Sequence, residues 1–380
     1  MHSLHSSHSS TNSLTPKCRE CRECNQERTI LKKTIKSLTF AIETTMEFMP
    51  IPQHHIERYS GKSALKGVPV IKTNNYTLLK GVTVIGDAPK ALIRIFNYSK
   101  DNNYKKQHQK KWPLYIAKTG HKWYPSESIT ERLLCRLGEA FGLEMAESSL
   151  AVIGGQLRFL SKYFLENPQD EELVHGADIF AGYVGDKDLV EKIEEEQRAR
   201  EVFTLQFVEK SIEYQFFFEK ESIMRELVKM LLFDILVGNN DRHFYNWAVI
   251  RSITQSFKPR FSPIYDTARG LFWNNDDESL RKRLKNNPEA FIKKYCKGSR
   301  PKIGWDGEND INHFKLLSKI YENEFYLSQN EIKALFLQCD LAKMFKIIDS
   351  EFSKMLCPER IQMIKMCLEH RYNEIMRILE

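Results

Sequence analysis

The 380-residue chain has no apolar run long enough to span a bilayer, which excludes a transmembrane helix. It opens with no apolar core of the secretory kind, so no signal peptide is expected. Gly and Pro are few, 17 and 13, and hydrophobic residues make up 42%, which excludes a largely unfolded or low-complexity chain. The eight cysteines suggest no disulfide framework, because Cys18, Cys21 and Cys24 cluster and the other five are scattered. A cytoplasmic, reducing compartment is the expectation. Neither sign of charge dominates: a net charge of +7 suits acidic or phosphorylated partners but does not require nucleic acid. No internal repeat is present.

What is there begins with a Ser-, His- and Thr-rich tail, expected to be disordered over residues 1–45. His2, His5, His8 and the Cys18/Cys21/Cys24 cluster share part of a zinc or iron–sulfur pattern. No fourth cysteine lies nearby, so the cluster is read as tail. From about residue 46 the pattern is strand-like. Val82–Ile85 and Leu92–Phe96 flank Gly86-Asp-Ala-Pro-Lys90, and Trp112–Lys118 forms another strand after a Lys-rich insert. A helix is predicted from Ser126 to Phe141, with Ile129, Leu133, Leu134, Leu137 and Phe141 on one face. Leu150–Ile153 and Gln156–Phe159 form a hairpin through Gly154-Gly155. The polar run 166–172 reads as a connection, after which helical patterns dominate. Helices are predicted at 222–236 and 358–380, and a small hairpin from Trp247–Ile250 and Phe261–Tyr265. The expectation is an α+β, two-lobed fold: a small antiparallel-sheet lobe with one main helix over 46–165, and a mostly helical lobe over 166–380.

The chemistry centres on Gly238-Asn-Asn-Asp-Arg-His-Phe-Tyr-Asn246, which sets Asp241 and Asn246 five positions apart on one loop. A carboxylate at that interval from an amide can orient an acceptor hydroxyl while the amide holds a metal beside nucleotide phosphates. Asp266 in Ser-Pro-Ile-Tyr-Asp adds a second hard oxygen donor, suited to Mg²⁺. The structural alternative for each is ordinary Asp/Asn turn chemistry. The apolar helix before the loop, Arg242-His243 after the Asp, and a second Asp ending a strand favour a catalytic loop. Lys118 is the candidate phosphate lysine, with Glu131 its helix partner and Glu127 the second choice; Ser128-Ile-Thr-Glu131 also fits a capping box. Gly86 and Lys90 are candidates for covering the phosphates. There is no Gly-x-Gly-x-x-Gly in this half; Ser60-Gly-Lys-Ser63 is a rival segment, although too short for a Walker loop. Lys162 and Phe164, where the hairpin runs into the connection, complete the nucleotide-binding set. Arg281 to Lys302 carries nine basic residues and reads first as a solvated face, with docking of nucleic acid or an acidic substrate left open.

Leu236–Trp247 followed by Ser262-Pro-Ile-Tyr-Asp266 resembles the kinase motif of the HipA-like bacterial serine/threonine kinases, and within them the stand-alone CtkA-like group. The resemblance implies a protein-kinase-like fold, ATP with Mg²⁺, and phosphorylation of Ser or Thr on a protein, with autophosphorylation common. It implies Asp241 as catalytic base, Asn246 and Asp266 as metal ligands, and Lys118 as the phosphate-pairing lysine. It further implies an antitoxin or host protein as partner, a toxin or effector role, and secretion into a host cell for some members. Residues 1–80 do not resemble the antitoxin-contacting portion of the HipA toxins. The Asp sits in Asp266-Thr-Ala-Arg269 rather than Asp-Phe-Gly. The Asp-Arg-His-x-x-Asn string is also similar to that of phosphatidylinositol kinases, the runner-up reading. A kinase fold used as an inactive binding module is the third.

Overall fold

The computed structural model describes residues 67–79, 90–97, 105–120, 126–167, 169–196, 198–308 and 310–380. The expected tail, the Cys18/Cys21/Cys24 cluster, the strand at 82–85 and Gly86 lie outside them. The described elements run β1 (Val70–Ile71), β2 (Tyr76–Leu78), β3 (Lys90–Ile95), β4 (Leu114–Lys118), α1 (Glu127–Phe141), β5 (Ser148–Ile153), β6 (Gln156–Lys162) and β7 (Glu171–His175). Then come α2 (Gly176–Val184), α3 (Lys187–Glu195), α4 (Ala199–Val202), α5 (Leu205–Gln215), α6 (Lys220–Val237), β8 (Ala248–Ser252) and β9 (Arg260–Phe261). The rest is helical: α7 (Asp277–Lys285), α8 (Pro288–Gly298), α9 (His313–Glu322), α10 (Gln329–Leu337), α11 (Leu341–Ile347) with a π-turn at Ile348–Phe352, and α12 (Pro358–Leu379). This is the α+β arrangement expected: a sheet with one main helix, followed by a largely helical remainder. No described helix is long and apolar enough to cross a membrane.

The first sheet orders its strands β1-β5-β6-β4-β3-β2, antiparallel throughout except for the β1–β5 pair. Side-chain alternation along paired strands splits it into two faces. One carries Ala91, Ile93, Tyr115, Ala117 and Leu160 into an apolar cluster with Ile95, Ala151 and Ile153. The other carries Lys90, Lys118, Phe159 and Ser161, and α1 packs there against β5 and β6. The β5–β6 hairpin turns at Gly154 and Gly155, both with positive φ (60° and 76°), the conformation that a two-residue turn between twisted strands demands.

The helical remainder is built around α6, on which Ile223, Leu227, Val228, Leu231, Leu232 and Ile235 are all buried and which packs against α5, α9 and α12. A helix apolar on nearly every side belongs in a core. It ends at Gly238, whose φ of 68° strains any side chain and whose Cβ position lies a tight 3.0 Å from the Arg371 guanidinium. One element departs from expectation. Residues 171 and 172, the end of the presumed connection, together with 173–175 form β7, paired with β8 in a second sheet, β7-β8-β9. Glu171 and Glu172 read as loop because they are polar, yet they face Arg260 and Arg251 across strands at 3.3 and 2.6 Å. Glu172 and Arg251 are register partners in the antiparallel β7–β8 pair, and opposite charges so placed stabilise it.

Candidate active site

The sheet side of the site is a knot of charges. In the β3–β4 register Lys90 lies directly opposite Lys118, a like-charge pair that would repel if left alone. Asp266 lies between them: Lys118 Nζ is 2.8 Å from its Oδ1 and Lys90 Nζ is 3.3 Å from its Oδ2. Lys118 also donates to Glu131 Oε1 at 2.7 Å and sits over the Phe159 ring. Burial alone would lower the Lys118 pKa, but Asp266 and Glu131 hold it above its ordinary value. Burial would likewise raise Asp266, and the two ammonium groups instead keep it well below the usual carboxylate range. Glu131 is lifted to about 7 by burial, with Lys118 opposing the rise and the Asp266 charge adding to it. Glu131 is therefore the partner of Lys118. The capping-box alternative is not what the helix uses: its N-cap is Ser126, with no side-chain cap. Glu127 turns elsewhere, 3.8 Å from Arg269 Nε.

The loop side is held by hydrogen bonds radiating from one buried residue. Arg242 bonds Asp234 of α6 through Nε (2.8 Å to Oδ2) and Nη2 (3.1 Å to Oδ1). Its Nη1 donates to the carbonyls of Asn246 (2.7 Å) and Tyr265 (2.8 Å), and Nη2 also to Thr267 Oγ1 (2.6 Å). All five N–H groups of the guanidinium have acceptors. One side chain thus fixes the end of α6, the 238–246 loop and both neighbours of Asp266 together. That clamping holds Asp266 at φ 54°, a left-handed conformation that Asp tolerates better than most residues. Inside the loop, Asn246 Nδ2 donates to the Asp241 carbonyl at 2.8 Å, and His243 N donates to the same oxygen.

Beneath the loop lies a second buried arginine. Arg371 of α12 donates from Nε to the Ile235 carbonyl (2.8 Å) and from Nη2 to His313 Nδ1 (3.0 Å). Because Arg is a donor only, His313 Nδ1 accepts, so Nε2 carries the proton and donates to the Asn239 carbonyl at 3.1 Å. Burial and the Arg371 charge keep that imidazole neutral, its pKa well below the ordinary value. Asp241 itself faces Arg269, whose Nη1 lies 3.2 Å from its Oδ2.

The structure thus brings Lys118, Glu131, Lys90 and Asp266 into direct contact, and Arg242 joins Asn246 and the Asp241 loop to the Asp266 segment. Phe164 lies at the edge, its ring 5.9 Å from that of Tyr265. Lys162 is not part of this group. It pairs with Tyr115 in the β4–β6 register, so it leaves the sheet by the face opposite Lys118, and it bonds Glu147 at 2.6 Å in an exposed pair. Sequence reasoning gave no role to Asp234, Arg269, His313 or Arg371; the one available signal was the charged Asp234 inside the otherwise apolar run at residues 230–237. In the basic stretch, Arg281 pairs with Glu359, Lys282 with Glu278 and Arg300 with Asp310, while Arg283 covers the Phe291 ring.

Mg²⁺ takes hard oxygen donors in a small octahedral shell. Among the described residues, no three His, Cys, Asp or Glu side chains converge as a metal cage. Asn246 and Asp266 offer two hard oxygen donors, and Mg²⁺ is commonly held by one or two such groups plus phosphate oxygens. Because the Asn246 amide nitrogen is committed to the Asp241 carbonyl, its oxygen is the atom it can offer a cation. The residues fit.

The family of HipA-like C-terminal domains matches residues 82–304, more than half of the chain. The chain belongs to this family. Its HipA-like region is 24% identical over 229 residues to the Helicobacter pylori serine/threonine-protein kinase CtkA, an alignment that covers 60% of this chain and 65% of that protein. The chain therefore spans a little under two thirds of that curated relative. The crystal structure of a Helicobacter pylori proinflammatory kinase CtkA superposes with a TM-score of 0.63 at 20% identity, over 82% of this chain and 97% of the other. The HipA-like chain has the kinase fold expected of it.

Proposed function

We propose that this protein is an ATP- and Mg²⁺-dependent serine/threonine protein kinase. The observation that carries the reading is Lys118, bonded at 2.7 Å to Glu131 of α1 and at 2.8 Å to Asp266, beside the clamped Asp241–Asn246 loop. Phosphoryl transfer needs positioning and charge neutralisation more than covalent chemistry, and this site supplies both. Lys118 and Lys90 carry the positive charge to meet nucleotide phosphates, and Asn246 and Asp266 are the residues that would hold Mg²⁺. Bound Mg²⁺ supplies neutralisation of charge developing on the phosphate oxygens. Asp241 orients the acceptor hydroxyl and takes its proton. Similarity to a serine/threonine-protein kinase supports a protein hydroxyl as acceptor.

The test is incubation with γ-labelled ATP and Mg²⁺, with the chain alone, with a generic protein substrate and with lipid vesicles. The expected result is label on Ser or Thr, lost in Asp241→Ala and in Asp266→Ala, with circular dichroism unchanged in both. Activity surviving in both variants sinks the assignment, and label confined to lipid transfers it to the lipid kinases.

A further inference from the structure

α1 presents two buried carboxylates to the site, Glu127 and Glu131, one turn apart and so on the same face. The segment that begins at Asp266 presents two charged residues as well, Asp266 and Arg269, three positions apart. They meet in two rungs. In the upper rung Glu131 and Asp266 share Lys118. In the lower rung Arg269 lies between Glu127 (3.8 Å) and Asp241 (3.2 Å).

Arg269 is fixed from several directions. Its carbonyl accepts from Asn240 N at 3.1 Å, so its backbone and its side chain bracket consecutive residues of the catalytic loop. Its guanidinium lies over the Trp273 ring, 5.0 Å from the centroid. The chain just beyond it is strained: Leu271 and Phe272 both have positive φ, 46° and 63°, a region costly for such side chains. Next to Arg269, a Cβ on Gly270 would fall 2.7 Å from the Val237 carbonyl, so this segment lies hard against the end of α6. Strain of this kind persists where surrounding structure imposes it, and it clusters at functional sites.

We propose that Arg269 is a positioning residue, which ties the acceptor-side carboxylate Asp241 to α1 through Glu127. This rests on the kinase reading above and extends it: one helix sets both the lysine that meets the nucleotide and the carboxylate that meets the acceptor. A displacement of α1 undoes both rungs together, so the site is assembled or disassembled as a unit. Arg suits the task because its charge is permanent and its planar fork can address two carboxylates at once.

The experiment uses the full chain and reads kcat and the KM for ATP in the labelled-phosphate assay. Arg269→Ala is expected to lower kcat about 100-fold, the cost of a misplaced reacting group. The KM for ATP should stay within about threefold, because the Lys118 rung is intact. Arg269→Lys should recover about tenfold of the loss. Glu127→Gln should lower kcat about tenfold and add nothing when combined with Arg269→Ala, since both remove one tether. A rise in KM with kcat preserved, or additive losses in the double variant, overturns the inference. A second readout needs no turnover: the Arg269 Nε–H resonance of ¹⁵N-arginine-labelled protein, assigned from Arg269→Lys, should move in both Glu127→Gln and Asp241→Asn. A resonance unmoved by either substitution overturns the tether. An unaltered chain that transfers no phosphate, with the resonance moving as expected, overturns the kinase reading and leaves the tether standing.

Discussion

On the sheet side of the site, Lys118 and Lys90 meet Asp266 at 2.8 and 3.3 Å, and each is a partner that a phosphate oxygen or a cation could replace. On the loop side, Arg242 meets Asp234, two backbone carbonyls and the Thr267 hydroxyl, none of which a ligand would displace. Both centres are buried cations next to a carboxylate. They differ in what the carboxylate is for. Asp234 is bonded to Arg242 inside the core, whereas Asp266 neutralises two lysines whose charge, in the proposed function, is meant for nucleotide phosphates. On the kinase reading proposed above, buried ion pairs are therefore not one category in this protein: one kind holds the fold and the other holds charge ready for a ligand. The contrast predicts that damage to stability and damage to chemistry will separate between the two centres.

The largest effect should come from Arg242→Met. It strands Asp234 in the core and frees two carbonyls from their donor, and removing one partner of a buried pair typically costs about 3–5 kcal/mol. Urea unfolding should show that loss, with phosphate transfer falling along with the folded fraction. Lys118→Met should do the reverse: a loss in kcat/KM of about 10²–10³-fold, the scale for a preorganised electrostatic partner, with a much smaller change in the urea midpoint. Stability is spared because Asp266 keeps Lys90 and because Glu131, already lifted to about 7, takes up a proton with little penalty. Equal losses of stability in the two variants would erase the distinction.

A middle-sized effect sharpens it. The folded-state pKa of Glu131, about 7, lies above the ordinary 4.5, so between these values the folded chain binds more protons than the unfolded one. Stability from this group is then full below pH 4.5 and declines as pH rises toward 7, with a limiting slope of about 1.4 kcal/mol per pH unit for one proton. Asp266, depressed, acts in a separate window, giving stability that is lost only as pH falls below its ordinary 3.8. Thermal melts of the unaltered chain and Glu131→Gln between pH 4.5 and 7 should diverge in slope, the variant being flatter. Parallel slopes would mean that Glu131 stays ionised and that the Lys118 knot is as permanent as the Arg242 clamp.

What was legible in the sequence follows the range of the interactions. The β5–β6 hairpin, α1 and α6 were readable because a Gly-Gly turn, a 3.6-residue apolar stripe and an apolar run are local signals. Asp241 and Asn246 stood out as candidates because both lie on one loop, and the contact of Lys118 with Glu131 was readable because a strand runs into a helix. β7 was not, since its Glu172 and Glu171 pair with Arg251 and Arg260, some eighty to ninety residues away. The Arg242 clamp was half legible: the Arg stood out after Asp241, but its partner Asp234 gave no sign of direction. Arg371 and His313 reach the loop from α12 and α9, which no spacing rule connects to it. Glu127 and Glu131 were rivals for one lysine on sequence alone, and the fold gives each its own cation.

The smallest predicted effect concerns a lysine that chain order alone placed at the nucleotide. Phe159 and Lys162 are three residues apart on β6, an odd interval, so they leave the sheet by opposite faces. The β4–β6 register puts Phe159 opposite Lys118 and therefore assigns Lys162 to the other side. There it pairs with Glu147, side chains 43% and 69% exposed, a setting in which ion pairs contribute little. Lys162→Ala should leave the KM for ATP within about twofold and shift the urea midpoint by no more than an exposed pair allows, roughly 0–1 kcal/mol. Lys90→Ala is the matched control, on the Lys118 face and in contact with Asp266, and it should raise that KM. If instead Lys162→Ala weakens ATP binding as much as Lys90→Ala does, the nucleotide reaches around the sheet edge, and the division between exchangeable and permanent charge would have to extend to the far face.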